Sequence, residues 1–538
     1  MLVVLFVLAV SVAAPSMAAA QSPHWSILSE SEPTYFKAGD ASDAYVLIVR
    51  NDGAAPTSHG SGVTVADTLP RGVTATGVSA RGEAANGNGL PKYEMTCATV
   101  PVRCTYEEGL SRGAVLAGAT IVVTITVSVE AGVQSLEANS ATVSGGGAPS
   151  ASTRASTPID AEPVPFGLSL FDAGIADEDG NAQTQAGSHP YELTASLAFN
   201  VSAREEPPSE EPLASAAVKD LEVAFPPGLV GNPNAVPQCS QQAFLELEVL
   251  NCPLDSQVGT VKPFFYGSFH SAVYPVFNVI PPTGEPAELG FSVAGIGHIP
   301  MFFHLRGNGE YGLTASLNDI PESGPLQGAI LTLWGVPADG NHDLEREGTF
   351  GQGHEQDGEF CKPSVKVEAG VERQVSCPSG IAAKPFLTLP SRCQASALSV
   401  GVETDSWESP GPPFESLSAE LAGNAISGCQ QLSFTPSLAL TPETTQAGAP
   451  SGYTIDVHVP QNENPTALTT PDLRKAVVSL PAGVVLSPSV AGGLQDCSEE
   501  QFELQSLTSA ACPAASQIGT VKIVTPILSS PLEGQVFL

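Results

Sequence analysis

Apolar residues alternate with polar ones through short stretches of this chain, and Gly, Pro, Asn and Asp collect between the stretches. The clearest stretch is 120–129, where Ile121, Val123, Ile125, Val127 and Val129 share one face. Strands are expected likewise over 44–49, 191–199, 291–296, 313–317, 330–334 and 453–459. Period-two alternation in short runs bounded by turn formers is the pattern of antiparallel sandwiches. Helical pattern is sparse. Two segments, 240–247 and 498–507, open on Ser with Gln or Glu within three residues, a capping-box arrangement. The pattern predicts an all-β chain of tandem β-sandwich domains with few short helices.

A long repeat organises these strands. Residues 218–261 and 473–521 align so that Gly228 answers Gly483, Cys239 answers Cys497, Cys252 answers Cys512 and Gly259 answers Gly519. Upstream, Gln185-Ala186-Gly187 before Tyr191 mirrors Gln446-Ala447-Gly448 before Tyr453. A shorter motif, an apolar strand ending in apolar-Pro-x-Gly-apolar, occurs at 69–73, 225–229 and 480–484. Proline withholds a ladder N–H and glycine allows positive φ, so each copy is read as a strand end in a tight turn.

These features divide the chain into residues 24–143, a first sandwich; 144–160, a Gly/Ser/Thr-rich linker; 161–268, a Cys-pinned β module; 269–435, a second β-rich domain; and 436–538, a second copy of the module. The acidic, Pro-rich 205–212 reads as an exposed loop that the second copy lacks. Leu538 falls opposite Asn278 of the first copy, so the second is expected to be cut short, with any membrane or wall anchor lying in a missing C-terminal part.

Residues 1–20 are uncharged, with an apolar run over 2–14 and Ala18-Ala19-Ala20 before Gln21, a secretory signal peptide without the usual basic start. The ten cysteines fall as near neighbours: Cys97 with Cys104, Cys239 with Cys252, Cys361 with Cys377, Cys393 with Cys429, and Cys497 with Cys512. Cys377 with Cys393 is an alternative to the third pair. No C-x-x-C occurs, so disulfides in an oxidising compartment are the expectation, and the protein is placed outside the cell, secreted or at its surface. The 56 acidic against 21 basic residues leave a formal net charge of −35, which excludes nucleic acid as a partner.

Tyr45 to Asn51 with Gly53, the 63–73 strand with Asp67-Thr68-Leu69-Pro70 and Gly72, and Asn139-Ser140-Ala141-Thr142-Val143 resemble the repeat of bacterial surface proteins known as domain of unknown function eleven. The resemblance covers about a quarter of the chain and implies an Ig-like fold, export or wall association, and no catalytic residues. The Cys97 and Cys104 pair is not part of that pattern. From residue 161 the chain is similar to large secreted actinobacterial proteins, which implies a location and no activity. The resulting expectation is a non-catalytic, adhesive or structural surface protein whose partner is a cell-surface polymer or glycan.

Candidate chemistry is thin. In the acidic turn 172–181, Asp177, Asp179 and Asn181 offer oxygens at alternate positions for calcium, although no Glu stands at the twelfth position as in an EF-hand. No other cofactor is indicated. The loop 339–359 gathers His342, Asp343, Glu345, Glu347, His354, Glu355 and Asp357, a set for a hydrolase or metal site, but without H-E-x-x-H spacing it reads as an exposed loop. His298 and His304 would stand roughly 20 Å apart on one strand, too far to share a metal. Gly307-Asn308-Gly309-Glu310-Tyr311-Gly312 matches a dinucleotide fingerprint by letter, but strands on both sides make it a hairpin turn. The aromatics of 264–311 are read as core, with an exposed Tyr266, Tyr274 or Trp334 as the sign of a sugar-binding face.

Overall fold

The run Asp43–Asn51 is apolar at most positions and buried along its whole length. It is covered on both faces, and the two coverings define the architecture. The computed structural model describes residues 21–538 except 59, 84–91, 108–113, 161–162, 204–212, 247–251, 266–271, 294, 308–309, 325, 348–364, 369–370, 375–380, 486–492, 504–505 and 507. The fold is all-β, with short helices at a few strand ends.

Among the described residues the N-terminal unit is a sandwich of ten strands: β1 (Trp25–Glu32), β2 (Asp43–Asn51), β3 (Val63–Thr68), β4 (Val73–Glu83), β5 (Lys92–Glu94), β6 (Thr96–Thr99), β7 (Val102–Tyr106), β8 (Thr120–Val129), β9 (Asn139–Gly145) and β10 (Ala148–Ala155). They form two sheets, ordered β1-β2-β8-β4-β5 and β10-β9-β3-β7-β6, closed on a core that includes Trp25, Tyr45, Ile121, Ile125 and Val143. The expected linker over 144–160 is instead part of this sandwich. Gly145, Gly146 and Gly147 take φ of 95°, 68° and 80° and turn the chain back, so that β10 pairs with β9. Small Ala, Ser and Thr side chains look like a tether in composition, yet they suit an edge strand whose outer face meets water. Thr157 then bonds Ser31 and Tyr45, which ties down the remainder.

Of the strands that follow, eleven join in one further sheet: β11 (Leu168–Ala176), β12 (Glu192–Phe199), β13 (Val218–Ala224), β14 (Gln257–Phe265), β15 (Tyr274–Val279), β16 (Ala287–Val293), β17 (Gly297–Leu305), β18 (Leu313–Leu317), β19 (Leu326–Trp334), β20 (Ala397–Ser406) and β21 (Glu415–Ala425). Among the described residues they make one sheet, ordered β11-β12-β19-β14-β15-β16-β17-β18-β13-β20-β21. The expected boundary at 268/269 therefore falls inside a sheet. β19 inserts between β12 and β14, with Leu193 opposite Leu333 and Val261 opposite Leu331, so residues from both expected domains share one ladder. The sheet rolls up until β21 lies alongside β11. The seam is fastened where Ala186 N–H donates to Ser427 O at 2.8 Å and Ser427 N–H to Thr184 O at 2.9 Å. Inward side chains of these strands form one core.

Beyond it, β22 (Ser437–Pro442) pairs with β23 (Tyr453–His458), and β24 (Gln517–Ile523) with β25 (Leu532–Phe537). This half-module rebuilds the first copy in detail. β14 and β15 pair with an irregularity at Gln257/Gly259, and β24 and β25 with one at Gln517/Gly519. Ser256 Oγ donates to Pro253 O at 2.6 Å and Ser516 Oγ to Pro513 O at 2.7 Å. Cys239 N–H reaches Asn278 O at 2.7 Å, and Cys497 N–H reaches Leu538 O at 2.8 Å. What differs is cover. Val261 is 3% exposed and Val521 42%; Leu193 is 2% exposed and Ile455 45%. Among the described residues no strand lies between β23 and β24, where β19 sits in the first copy.

Candidate functional site

The three apolar-Pro-x-Gly-apolar motifs fold alike. Gly72, Gly228 and Gly483 take φ of 82°, 88° and 97°. Val73 N–H donates to Pro70 O, Leu229 N–H to Pro226 O and Val484 N–H to Pro481 O, at 3.2, 3.3 and 3.2 Å. Each is a turn with glycine at the position that needs positive φ.

Cysteines pin the same units. Cys97–Cys104 ties β6 to β7 at directly opposite positions. Cys239–Cys252 and Cys497–Cys512 close loops that begin with a short helix, α1 (Gln241–Phe244) and its later counterpart Glu499–Phe502. Ser498 and Gln501 complete a full capping box, whereas Ser240 caps only Ala243 N–H, because the third helical position there is alanine. Cys393–Cys429 closes the fourth described bond, while Cys361 and Cys377 lie outside the described residues.

The strongest electrostatic feature lies where the N-terminal sandwich meets the rolled sheet. Leu28, Val46, Ile48 and Val122 pack on Phe264 and Ile330. At the edge of this contact Arg50 donates to both oxygens of Glu192, at 3.1 and 3.3 Å, and to Thr194 Oγ1 at 3.0 Å. Asp52 stands 3.0 Å from the same guanidinium. Burial, with Glu345 and Asp52 nearby, pushes the Glu192 carboxyl upward, and the guanidinium of Arg50 on both its oxygens pulls it back toward the charged form. Burial opposes the charge on Arg50, but Glu192 and Asp52 hold its pKa above the ordinary value. A cavity of about 210 Å³ beside the pair is lined in part by Arg50, Asp52, Asp172 and Glu192. Burial, with Asp52 nearby, also raises Asp172. This pair was missed in the sequence; the signal that marks it is a lone charge within an apolar strand, as in Val49-Arg50-Asn51 and Tyr191-Glu192-Leu193.

The loop expected to be exposed at 339–359 begins instead as a buried bracket. Gly340–His342 and α2 (Asp343–Glu347) carry His342, Asp343, Glu345 and Arg346 inside, each 1–3% exposed. The His342 ring is stacked between Tyr191 and Trp334, with centroids at 4.3 and 4.8 Å. Trp334 Nε1 donates to Glu345 at 2.8 Å and the Tyr191 hydroxyl donates to it at 3.3 Å. Burial would raise Glu345, but His342, Arg50 and Trp334 together hold its carboxyl below the ordinary value. Arg346 pairs with Asp343 at 2.7 Å and lies over Trp334. Packed this tightly against aromatic rings, the imidazole and carboxylate meet no solvent through which a substrate would arrive, so the group holds structure. His354, Glu355 and Asp357 lie outside the described residues.

At the acidic turn, one oxygen of Asp177 and one of Asp179 already accept hydrogen bonds from the protein. Asp177 Oδ1 accepts the N–H groups of Asp179 at 3.0 Å and Asn181 at 2.9 Å, so the oxygen faces donors. Asp179 accepts both Ser22 N–H and Ser22 Oγ–H, at 3.0 and 2.8 Å. The tip is a docking point for the N-terminal strand. Among the described residues no three His, Cys, Asp or Glu side chains are grouped to hold a metal. His298 bonds Ser292 and His304 pairs with Glu285, each locally. Strands β17 and β18 flank the glycine pattern at 307–312, a hairpin context. Tyr274 and Trp334 are 7% and 0% exposed, which removes them from any sugar-binding face, and Tyr266 lies outside the described residues.

No family model and no curated protein matches the sequence. Solved structures similar to it include the B domain of a biofilm-associated protein, at 6% identity and TM-score 0.20, covering 73% of this chain and 84% of that one. The collagen adhesin of S. aureus matches at 7% identity and TM-score 0.17, covering 80% and 94%. The C-terminal domain of the Streptococcus pyogenes antigen I/II-family protein AspA matches at 7% identity and TM-score 0.16, covering 74% and 99%. At such scores nothing of function is carried across.

Proposed function

We propose that this chain is an exported, non-catalytic structural and adhesive protein of the bacterial surface, acting by spacing and display toward a surface polymer or glycan. The observation that carries the reading is the rebuilt Cys-pinned unit: Cys497–Cys512, its capped helix and its following hairpin repeat the arrangement at Cys239–Cys252. A stabilising cross-link that recurs in a duplicated module is useful where thiols stay oxidised and proteases are present. The buried pair Arg50–Glu192 adds to this by joining the first sandwich to the rolled sheet. The resemblance of residues 24–143 to surface-protein repeats supports the same location, and the excess of acidic side chains suits a solvated exterior.

The test is to express the chain with its own first 20 residues, treat intact cells with trypsin with and without reductant, and map disulfides without reduction. Surface exposure, resistance to trypsin lost on reduction, and the four described bonds are the expected results. A chain retained in the cytoplasm with all ten thiols open to alkylation would reject the proposal.

A further inference from the structure

We infer that the rolled sheet is a binding cup for the hydrocarbon end of an unbranched acyl chain, a role separate from the surface function proposed above. Eight strands make a closed sheet just narrow enough for side chains to fill; more strands widen the bore. Here eleven surround one core.

The two ends of the bore differ. At one end Leu229, Val236, Phe386 and Leu389 plug the core, beside a two-residue ladder of Val230–Gly231 with Leu387–Thr388. At the other end, where β14 ends, β16 turns into β17 and β18 leads to β19, the bore holds a cavity of about 100 Å³. Phe171, Leu197, Phe265, Ile296 and Met301 line it, and every lining side chain is apolar. Phe171, Phe265 and Ile296 are only partly buried, which makes this end the mouth. Gly324 forms part of the rim, where a Cβ would stand 2.6 Å from Ile296 Cδ1.

The lining decides the ligand class. Water in a cavity needs two to four polar partners, and these walls supply none from side chains, so the space favours hydrocarbon. Its size discriminates further. It is smaller than the roughly 150 Å³ cavity that takes a whole benzene molecule with room around it, so it takes the last few methylenes of a chain and leaves the rest of the molecule outside. Because the cavity opens on one side, a carboxylate at the other end of that chain stays in water at the rim.

The test uses the full chain and decanoate, followed by titration calorimetry. Saturable one-site binding is expected, at least 10-fold weaker in Ala329→Phe, whose new ring fills the lined space, and unchanged in Val521→Ser, which alters the exposed apolar face of the second module. Leu193→Ala keeps the idea testable if Ala329→Phe does not fold: Leu193 lines the space on β12, opposite Leu333 and away from the mouth, so its truncation deepens the cup and should shift the preferred length from decanoate toward dodecanoate. No saturable binding by the unaltered chain, binding that follows Val521 and not Ala329, or a length preference unmoved by Leu193→Ala would each overturn the assignment.

Discussion

Arg50, on the outer face of the N-terminal sandwich, forms a two-pronged ion pair with Glu192 of the rolled sheet, both side chains less than a tenth exposed. A buried pair is weak evidence of stability as such, because desolvation offsets much of the attraction. Breaking one half is a different matter. Arg50→Ala should destabilise the contact between the two units by about 3–5 kcal/mol, since Glu192 would be left buried beside Asp52 and Glu345. Arg50→Met with Glu192→Leu should recover most of that loss. Urea unfolding of the single and double variants measures the coupling, and a double variant no better than Arg50→Ala would show that the charges themselves hold the units together.

Glu30 gives the stability a pH dependence of known sign. Burial raises its carboxyl from 4.5 to about 7, only partly opposed by the Ser169 hydroxyl that donates to it. A carboxyl raised in the folded state favours folding below its unfolded pKa, and that advantage fades as pH climbs through 4.5 to 7. Relative to the unaltered chain, Glu30→Gln should thus be nearly neutral at pH 4 and stabilising by up to about 3 kcal/mol at pH 8. Thermal melts of both proteins across that range test it; a difference that does not change with pH would contradict the assignment.

The repeated turn separates backbone strain from crowding. Gly72 and Gly483 share positive φ, but a Cβ on Gly72 would meet Val133 Cγ2 at 2.8 Å, whereas on Gly483 it would meet nothing within 4 Å. Gly483→Ala should cost about 1–2 kcal/mol, from conformation alone. Gly72→Ala should cost more by whatever moving Val133 requires. Equal losses in denaturant titrations would mean that Val133 yields freely.

The two equivalent disulfides should also differ. Their closed loops are similar, with separations of 13 and 15 residues, so loop entropy alone assigns each about 3 kcal/mol. Cys239 and Cys252 are buried with Phe244, Phe277 and Val279, while Phe502, the counterpart of Phe244, is 42% exposed. Replacing both cysteines by serine should therefore cost about 1–3 kcal/mol more at 239 and 252, where buried hydroxyls are introduced, than at 497 and 512. Hydrogen exchange around each hairpin reads the two losses separately.

Some features were legible before any coordinates. The alternation over 120–129 marks β8, and the alternation at 313–317 marks β18. The matching cysteines and glycines foretold a duplicated module with the same turn, pin and hairpin. Other readings failed for identifiable reasons. Ser/Thr/Ala composition at 148–155 is shared by tethers and by wet edge strands, so β10 was mistaken for a linker. The charges of 342–346 looked solvated because Tyr191, which stacks on His342 and bonds Glu345, lies 154 residues from Glu345.

The order of residues by itself determined where the strongly alternating strands lie, which face of each is apolar, where the repeated turns fall and how eight of the cysteines pair. These are local properties, set by backbone geometry over a few residues. Only the tertiary structure decided that β19 slips between β12 and β14, that eleven strands roll into one cup, and that Arg50 finds Glu192. A strand's ladder groups are the same on every strand, so nothing within it names its neighbour; the choice is made when apolar faces from the whole chain compete for one interior.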